Sequence, residues 1–302
     1  MKTWANACRR APSSVSKRGI EQKEKHMNKT WLITGCSGGF GLHLARAAAA
    51  RGDHVVATAR TPETLRDLAR RYPDTLRVAA LDVTKPETIQ AAIALTTETF
   101  GRLDVLVNNA GHGFMGAIEE GTPEEYRPLF DVNVFGLIET TRAALPLMRR
   151  TGGGRIVNLS SGAGIAGSGG RGYYNATKFA VEGLSEALAQ EVEPMGIRVV
   201  IVEPGPFRTE FLGRSIAVAK QQISAYSATA GSARSYRDSN DGHQAGDPAK
   251  AAAVIIQAID SDDPPLHLPI GPSAHAIAER KLKAFRQDID AWRARSIATD
   301  FD

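Results

Sequence analysis

Tyr174 and Lys178 stand four residues apart in the run Tyr174-Asn175-Ala176-Thr177-Lys178. On a helix, positions i and i+4 share a face, so a phenol and an ammonium there can project into one cleft. A free phenol titrates near ~10, and acid/base work near neutrality needs its ionised form favoured, which an adjacent cation does. Thirteen residues before Tyr174, Asn158-Leu159-Ser160-Ser161 closes an apolar run of strand type and places hydroxyls at its end. A Tyr-x-x-x-Lys pair alone describes many surface helices. Here it gains weight from the strand-end serines and from a glycine loop upstream, because ligands of open α/β sheets bind beyond the carboxyl ends of the strands.

That loop is Thr34-Gly35-Cys36-Ser37-Gly38-Gly39-Phe40-Gly41, set between the first apolar run and the helical pattern Leu42–Arg51. A phosphate needs bare backbone N–H groups at a helix N-terminus, and side chains would block its approach. A glycine cluster elsewhere would read as a turn; at the first strand-to-helix junction it reads as a dinucleotide cradle, with Gly35, Ser37, Gly39, Phe40 and Gly41 facing the cofactor. Cys36 is a small turn residue with no partner thiol nearby in sequence. The second apolar run ends at Thr58-Ala59-Arg60, where a site selective for NAD places a carboxylate for the adenosine ribose. An acid would repel a ribose 2′-phosphate, whereas Arg60 would pair with it for about 1.5–3 kcal/mol. NADP(H) is therefore expected over NAD(H). The other reading of Arg60, a solvated loop cation, leaves the missing carboxylate unexplained.

The elements that must position these groups follow from the patterning after Asn28. Short apolar runs alternate with amphipathic segments, as in βαβ units feeding a parallel sheet. Strands are predicted at Thr30–Thr34, His54–Thr58, Leu76–Leu81, Leu103–Val107, Arg155–Leu159, Ile197–Val202 and Pro265–Pro269. Crossover helices are predicted over 39–51, 63–72, 86–100, 123–149 and 174–193. Thr61-Pro62-Glu63, Lys85-Pro86-Glu87 and Thr122-Pro123-Glu124 each set Pro and an acid in a first helical turn. The expected architecture is α/β, Rossmann-like and doubly wound, with a mainly parallel seven-stranded sheet covered by helices on both faces. Only 206–246 breaks the rhythm; a segment this long is expected to cover a substrate, with plain disorder as the alternative.

Composition narrows the class. With 302 residues, 42% hydrophobic and 23% charged, the chain can bury a sizeable core, which excludes a disulfide miniprotein or a disordered tail. Two cysteines, Cys8 and Cys36, build no disulfide framework, and no run approaches the ~20 apolar residues of a membrane helix. A reducing, cytoplasmic setting is expected. The net charge of +4 sits in residues 1–26, which hold seven cations against two acids, so the rest is near neutral and gives no support to nucleic-acid binding. Residues 1–27 read as a disordered basic extension, with a transit peptide as the minor reading, and 28–302 as the catalytic domain. No His/Cys/Asp/Glu run has metal-ligand spacing, so no metal is expected.

Residues 29 to about 210, and less distinctly to about 270, resemble the short-chain dehydrogenase/reductase family in its shorter, single-domain branch. The likeness rests on Thr34–Gly41, Leu81-Asp82-Val83, Asn108-Asn109-Ala110-Gly111, Asn133, Ser161, Tyr174 with Lys178, and Pro204-Gly205 with Thr209. It implies that Tyr174 exchanges a proton with the substrate oxygen and Ser161 holds that oxygen. It implies that Lys178 binds the nicotinamide ribose and favours ionised Tyr174, and that Asn133 fixes a proton-relaying water. Asp82 and Val83 resemble the adenine-contacting pair. Asn109, Ala110 and Gly111 resemble the cofactor-side turn, Thr209 resembles the group near the carboxamide, and Pro204 and Gly205 are implied to bind the cofactor as well. The thirteen-residue spacing to Tyr174 favours Ser161 over Ser160 in that comparison.

Plainer readings stand beside these: Asn133 as a helix brace, Asp82 as a strand-end turn residue, His43 and His112 as structural or solvated. The activity implied is the interconversion of a secondary alcohol with a ketone or aldehyde. A catalytically silent NADP-sensing module would have no need of Ser161, Tyr174 and Lys178 together. A sugar-nucleotide epimerase would be expected to show Gly-x-x-Gly-x-x-Gly and a larger C-terminal domain. Phe207, Phe211, Leu212, Ile216, Tyr226 and Tyr236 suit an apolar small-molecule substrate. Phe114 and Met115 could line the same pocket or belong to the core. Helices 123–149 and 174–193 resemble the faces through which the family forms homodimers and homotetramers.

Overall fold

The computed structural model describes residues 28–301; the basic extension read from the sequence lies outside the described residues. The strands are β1 (Thr30–Ile33), β2 (His54–Ala59), β3 (Leu76–Ala80), β4 (Val105–Asn108), β5 (Gly113–Met115), β6 (Gly154–Leu159), β7 (Ile197–Pro204), β8 (Ile216–Val218) and β9 (His267–Ile270). The helices are α1 (Gly39–Ala50), α2 (Arg66–Arg71), α3 (Pro86–Phe100), α4 (Pro123–Phe130), α5 (Gly136–Arg150), α6 (Gly162–Ile165), α7 (Gly172–Val192), α8 (Ser232–Asn240), α9 (Pro248–Asp260) and α10 (Pro272–Ser296).

Seven strands form one sheet in the order β3-β2-β1-β4-β6-β7-β9, with every pairing parallel. The seven predicted strands fall on these, their ends moved by one or two residues. Alternation across the pleat divides the core. Trp31, Ile33, Val55, Ala57, Val107 and Val157 face Leu44 and Ala48 of α1 and Ala252 and Ile255 of α9. Leu32, Val56, Leu106 and Ile156 face Ala92 of α3 and Ala144, Leu147 and Met148 of α5. Burial on both faces is why these strands read as unbroken apolar runs.

The predicted helix 123–149 is interrupted by a widened π-type turn over Asp131–Phe135, between α4 and α5. The segment 206–246 is built rather than irregular. β8 pairs in parallel with β5, α8 follows, and Phe207 bridges to Gly246. Phe114 and Met115 of β5 are buried in the core, which decides between their two readings. At the start of α9, the Asp247 carboxylate accepts from the Ala249 and Lys250 amides at 2.8 and 3.4 Å. Asp247→Ala is expected to lower the unfolding free energy by about 1 kcal/mol, read as a lower urea midpoint at unchanged slope.

Candidate active site

The carboxyl ends of β1, β2, β4, β6 and β7 open onto a cleft of about 960 Å³. Its glycine loop is held in shape from the neighbouring strand. Thr34 Oγ1 accepts from the Asn109 and Ala110 amides at 2.9 Å each, and Asn109 Nδ2 donates to the Thr34 and Gly35 carbonyls at 2.8 and 2.9 Å. Gly35 adopts φ of 71°, and a Cβ there would lie 3.0 Å from the Ala110 main chain. A Cβ on Gly41 would meet Asn109 Nδ2 at 2.5 Å and the Gly35 carbonyl oxygen at 2.6 Å. Gly41 is thus a packing glycine behind the loop, whereas Gly35, Ser37, Gly39 and Phe40 line the cleft. The α1 N-terminus has no side-chain cap, leaving its first N–H groups for an anion. Cys36 is buried, and burial pushes its thiol up to about 12, in keeping with an unreactive turn residue.

At the β2 end, Ala59 and Arg60 line the cleft beside Asp82 and Val83. Among the described residues, Arg60 has no hydrogen-bonded acid. Asp82 accepts from Thr84 instead, and burial opposing its ionisation is outweighed by that bond and by the nearby Lys85 and Arg60. Asn109, Ala110, Gly111, Pro204, Gly205 and Thr209 line the same cleft. These residues and the bare glycine loop fit a nicotinamide dinucleotide.

Three of the four expected catalytic residues meet at the cleft. Tyr174 is 8% exposed and lines the cleft together with Ser161, whose hydroxyl accepts from the Ala163 amide at 3.1 Å. Ser160 turns away and donates to Glu182, so Ser161 is the serine that faces the phenol. Lys178 Nζ donates to the Leu159 carbonyl at 2.7 Å and lies 5.7 Å from the centre of the Tyr174 ring. Asn133 does not line the cleft. Its Oδ1 accepts from the His112 amide at 2.9 Å, and its Nδ2 donates to the His112 carbonyl and to Thr177 at 2.8 and 3.1 Å. Its side chain therefore braces the loop after β4 against α7.

The electrostatics correct one expectation. Burial pushes Tyr174 up to about 12, with Ser161 and Arg171, rather than Lys178, pulling the other way. Burial also draws Lys178 down to about 8 against the attraction of Glu182. For a phenol this buried, desolvation outweighs a cation that is tied to a main-chain carbonyl rather than to the phenol.

The far wall is made by Phe207, Phe211, Leu212, Ile216 and Tyr236, while Tyr226 points outward and donates to Glu119. Sequence reasoning missed two residues here. Gln244 is 4% exposed, lines the cleft, and has no partner for either amide atom. Glu120 is fully buried and fastens the covering segment, accepting from Arg234 at 2.7 Å, the Ile223 amide at 2.9 Å and the Ala117 amide at 2.8 Å. Burial would raise its pKa, but Arg234 and the two amides hold it at about 2. Because that value lies below the ordinary one, the carboxylate's contribution is complete near neutrality and fades as the pH falls toward 2. Glu120→Gln is expected to raise KM roughly tenfold with kcat little changed, measured by steady-state kinetics.

Residues 29–219 match the short chain dehydrogenase family. The chain is 36% identical over 275 residues to the oxidoreductase BOA17 of Botryotinia fuckeliana, covering 90% of this chain and all of that one. A short-chain dehydrogenase from Streptomyces avermitilis superposes with TM-score 0.85 at 45% identity, over 91% of this chain and 100% of the other. A 3-ketoacyl-(acyl-carrier-protein) reductase from Brucella melitensis, solved with NADH, shares 28% identity at TM-score 0.69 over 80% and 96% of the two chains. An alcohol dehydrogenase from Thermococcus sibiricus, solved with 5-hydroxy-NADP, shares 26% at 0.66 over 81% and 96%.

The chain belongs to the short-chain dehydrogenase/reductase family. It is an NAD(P)-dependent oxidoreductase of CH–OH groups. No helix among the described residues is long and apolar enough to cross a membrane.

Proposed function

We propose that this chain interconverts an apolar secondary alcohol with its ketone, or a primary alcohol with its aldehyde, using NADP(H) in preference to NAD(H). The reading is carried by one observation: Ser161, Tyr174 and Lys178 line the same cleft that the glycine loop borders. In reduction, Tyr174 gives its hydroxyl proton to the carbonyl oxygen, and Ser161 donates a hydrogen bond to that oxygen as charge develops on it. The nicotinamide supplies the hydride, or accepts it in the reverse direction. Lys178, fixed by the Leu159 carbonyl, would hold the ribose hydroxyls of the nicotinamide nucleotide. The Asn133 side chain holds the His112 loop in place beside the cleft. Arg60, which lines the cleft at the end of β2, would pair with the 2′-phosphate.

Residues 28–302 act as one catalytic domain with the segment near 206–246 as its cover. Phe135, Phe179 and Leu184, exposed beside α5 and on α7, support a homodimer or homotetramer, and a buried free thiol suits the reducing cytoplasm. A panel of ketones and aldehydes scored by NADPH oxidation tests the activity; no turnover with any of them, with cofactor bound, would leave a binding module. Direction carries its own pH signature. A phenol at about 12 stays protonated near neutrality, ready to give its proton, so reduction should be flat there. Oxidation needs the phenolate and should rise with pH through the alkaline range; parallel profiles in the two directions would count against Tyr174.

A further inference from the structure

Behind the catalytic face, α7, β7 and β9 bring Glu182, Glu203 and His267 together, with one donor atom from each within 4.8 Å of the others. His267 Nδ1 lies 2.9 Å from Glu203 Oε1 and 3.6 Å from Glu182 Oε2. Glu203 is 2% and Glu182 9% exposed, and Glu182 Oε2 is buried without a hydrogen-bond partner while aimed into the group. Neither carboxylate pairs with a Lys or Arg at salt-bridge distance among the described residues, and Ser160 engages only the other oxygen of Glu182.

We propose that Glu182, Glu203 and His267 form a site for one first-row divalent cation, with Zn²⁺ as the tightly held ion. Two carboxylate oxygens and one imidazole nitrogen are a donor set for such an ion and leave a fourth position for water. Around a tetrahedral centre with bonds of about 2.0–2.2 Å, neighbouring donors stand about 3.3–3.6 Å apart, so the two spacings to His267 need only small adjustment. The half-exposed His267 on the outermost strand gives a way in from solvent. No sequence spacing announces the site, because its residues come from three elements at 182, 203 and 267; the expectation of no metal rested on local runs alone. The ion would tie β7 and β9 to α7 one turn beyond Lys178, through a glutamate that also holds Ser160, and would take no part in the reaction.

Chelator-stripped, untagged full-length protein should bind one Zn²⁺ per chain in a calorimetric titration and melt at higher temperature with Zn²⁺, while Mg²⁺ does neither. Co²⁺ in place of Zn²⁺ should show the visible absorption of a four-coordinate ion. His267→Ala, at the exposed edge, should weaken Zn²⁺ binding at least about tenfold, as should Glu182→Gln if it folds, whereas His275→Ala should not. Absence of Zn²⁺ binding by the parent protein would identify a carboxyl pair sharing a proton and overturn the proposal. Stoichiometric binding that survives His267→Ala would overturn it equally.

Discussion

Tyr174→Phe is expected to lower kcat by about 10²–10⁴-fold or more in both directions while NADPH still binds within about threefold of the parent affinity. The change deletes one oxygen from a buried ring packed near Phe211 and leaves the ring in place. Neither the glycine loop nor Arg60 touches that hydroxyl, so the cofactor cleft should keep its shape. Without the phenol, the substrate oxygen has only the Ser161 hydroxyl, which stabilises charge but is a poor proton donor. Single-turnover kinetics and a fluorescence titration with NADPH separate the two effects. Full activity in the variant would remove Tyr174 from the mechanism.

Arg60→Asp is expected to reverse the cofactor preference. Arg60 lies at the end of β2 with no hydrogen-bonded acid among the described residues, so its charge is available to a 2′-phosphate. Its exposure to water places the contact toward the low end of about 1.5–3 kcal/mol, roughly tenfold in kcat/KM for NADPH. An aspartate adds repulsion of the phosphate and an acceptor for ribose hydroxyls, so the NADPH-to-NADH ratio should fall by about 10²-fold or more. The measurement is kcat/KM for both cofactors at fixed ionic strength, since salt screens an exposed charge. An unchanged ratio would show that the 2′-phosphate is recognised elsewhere.

Much of this framework was legible because its determinants are local. The seven sheet strands are short apolar runs covered on both faces, and the glycine loop is contiguous. Ser161, Tyr174 and Lys178 sit on elements whose ends are marked in the chain. What escaped depends on contacts between distant residues. β5 and β8 are three residues each, too short for a period-two pattern, and become strands only by pairing with each other. Glu120 reads as an ordinary surface acid until Arg234 arrives from more than a hundred residues away. The Asn108–Asn158–Ser185 ladder, at 2.9 and 2.8 Å, buries amides that sequence patterning treats as strand-end polar residues. Lys178 was expected beside the phenol; helical spacing does place the two on one face, but the hydrogen bond it makes is to the Leu159 carbonyl, which no spacing rule reveals.

The most direct measurement follows the transferred atoms. NADPH deuterated at its transferable position would be mixed with enzyme and a ketone from the panel in a single turnover, and the alcohol formed would be analysed by mass spectrometry. The account predicts deuterium on the carbinol carbon with the parent protein and a rate lower by about 10²-fold or more with Tyr174→Phe. Deuterium transfer at the parent rate by Tyr174→Phe, or none by the parent with NADPH demonstrably bound, would contradict it.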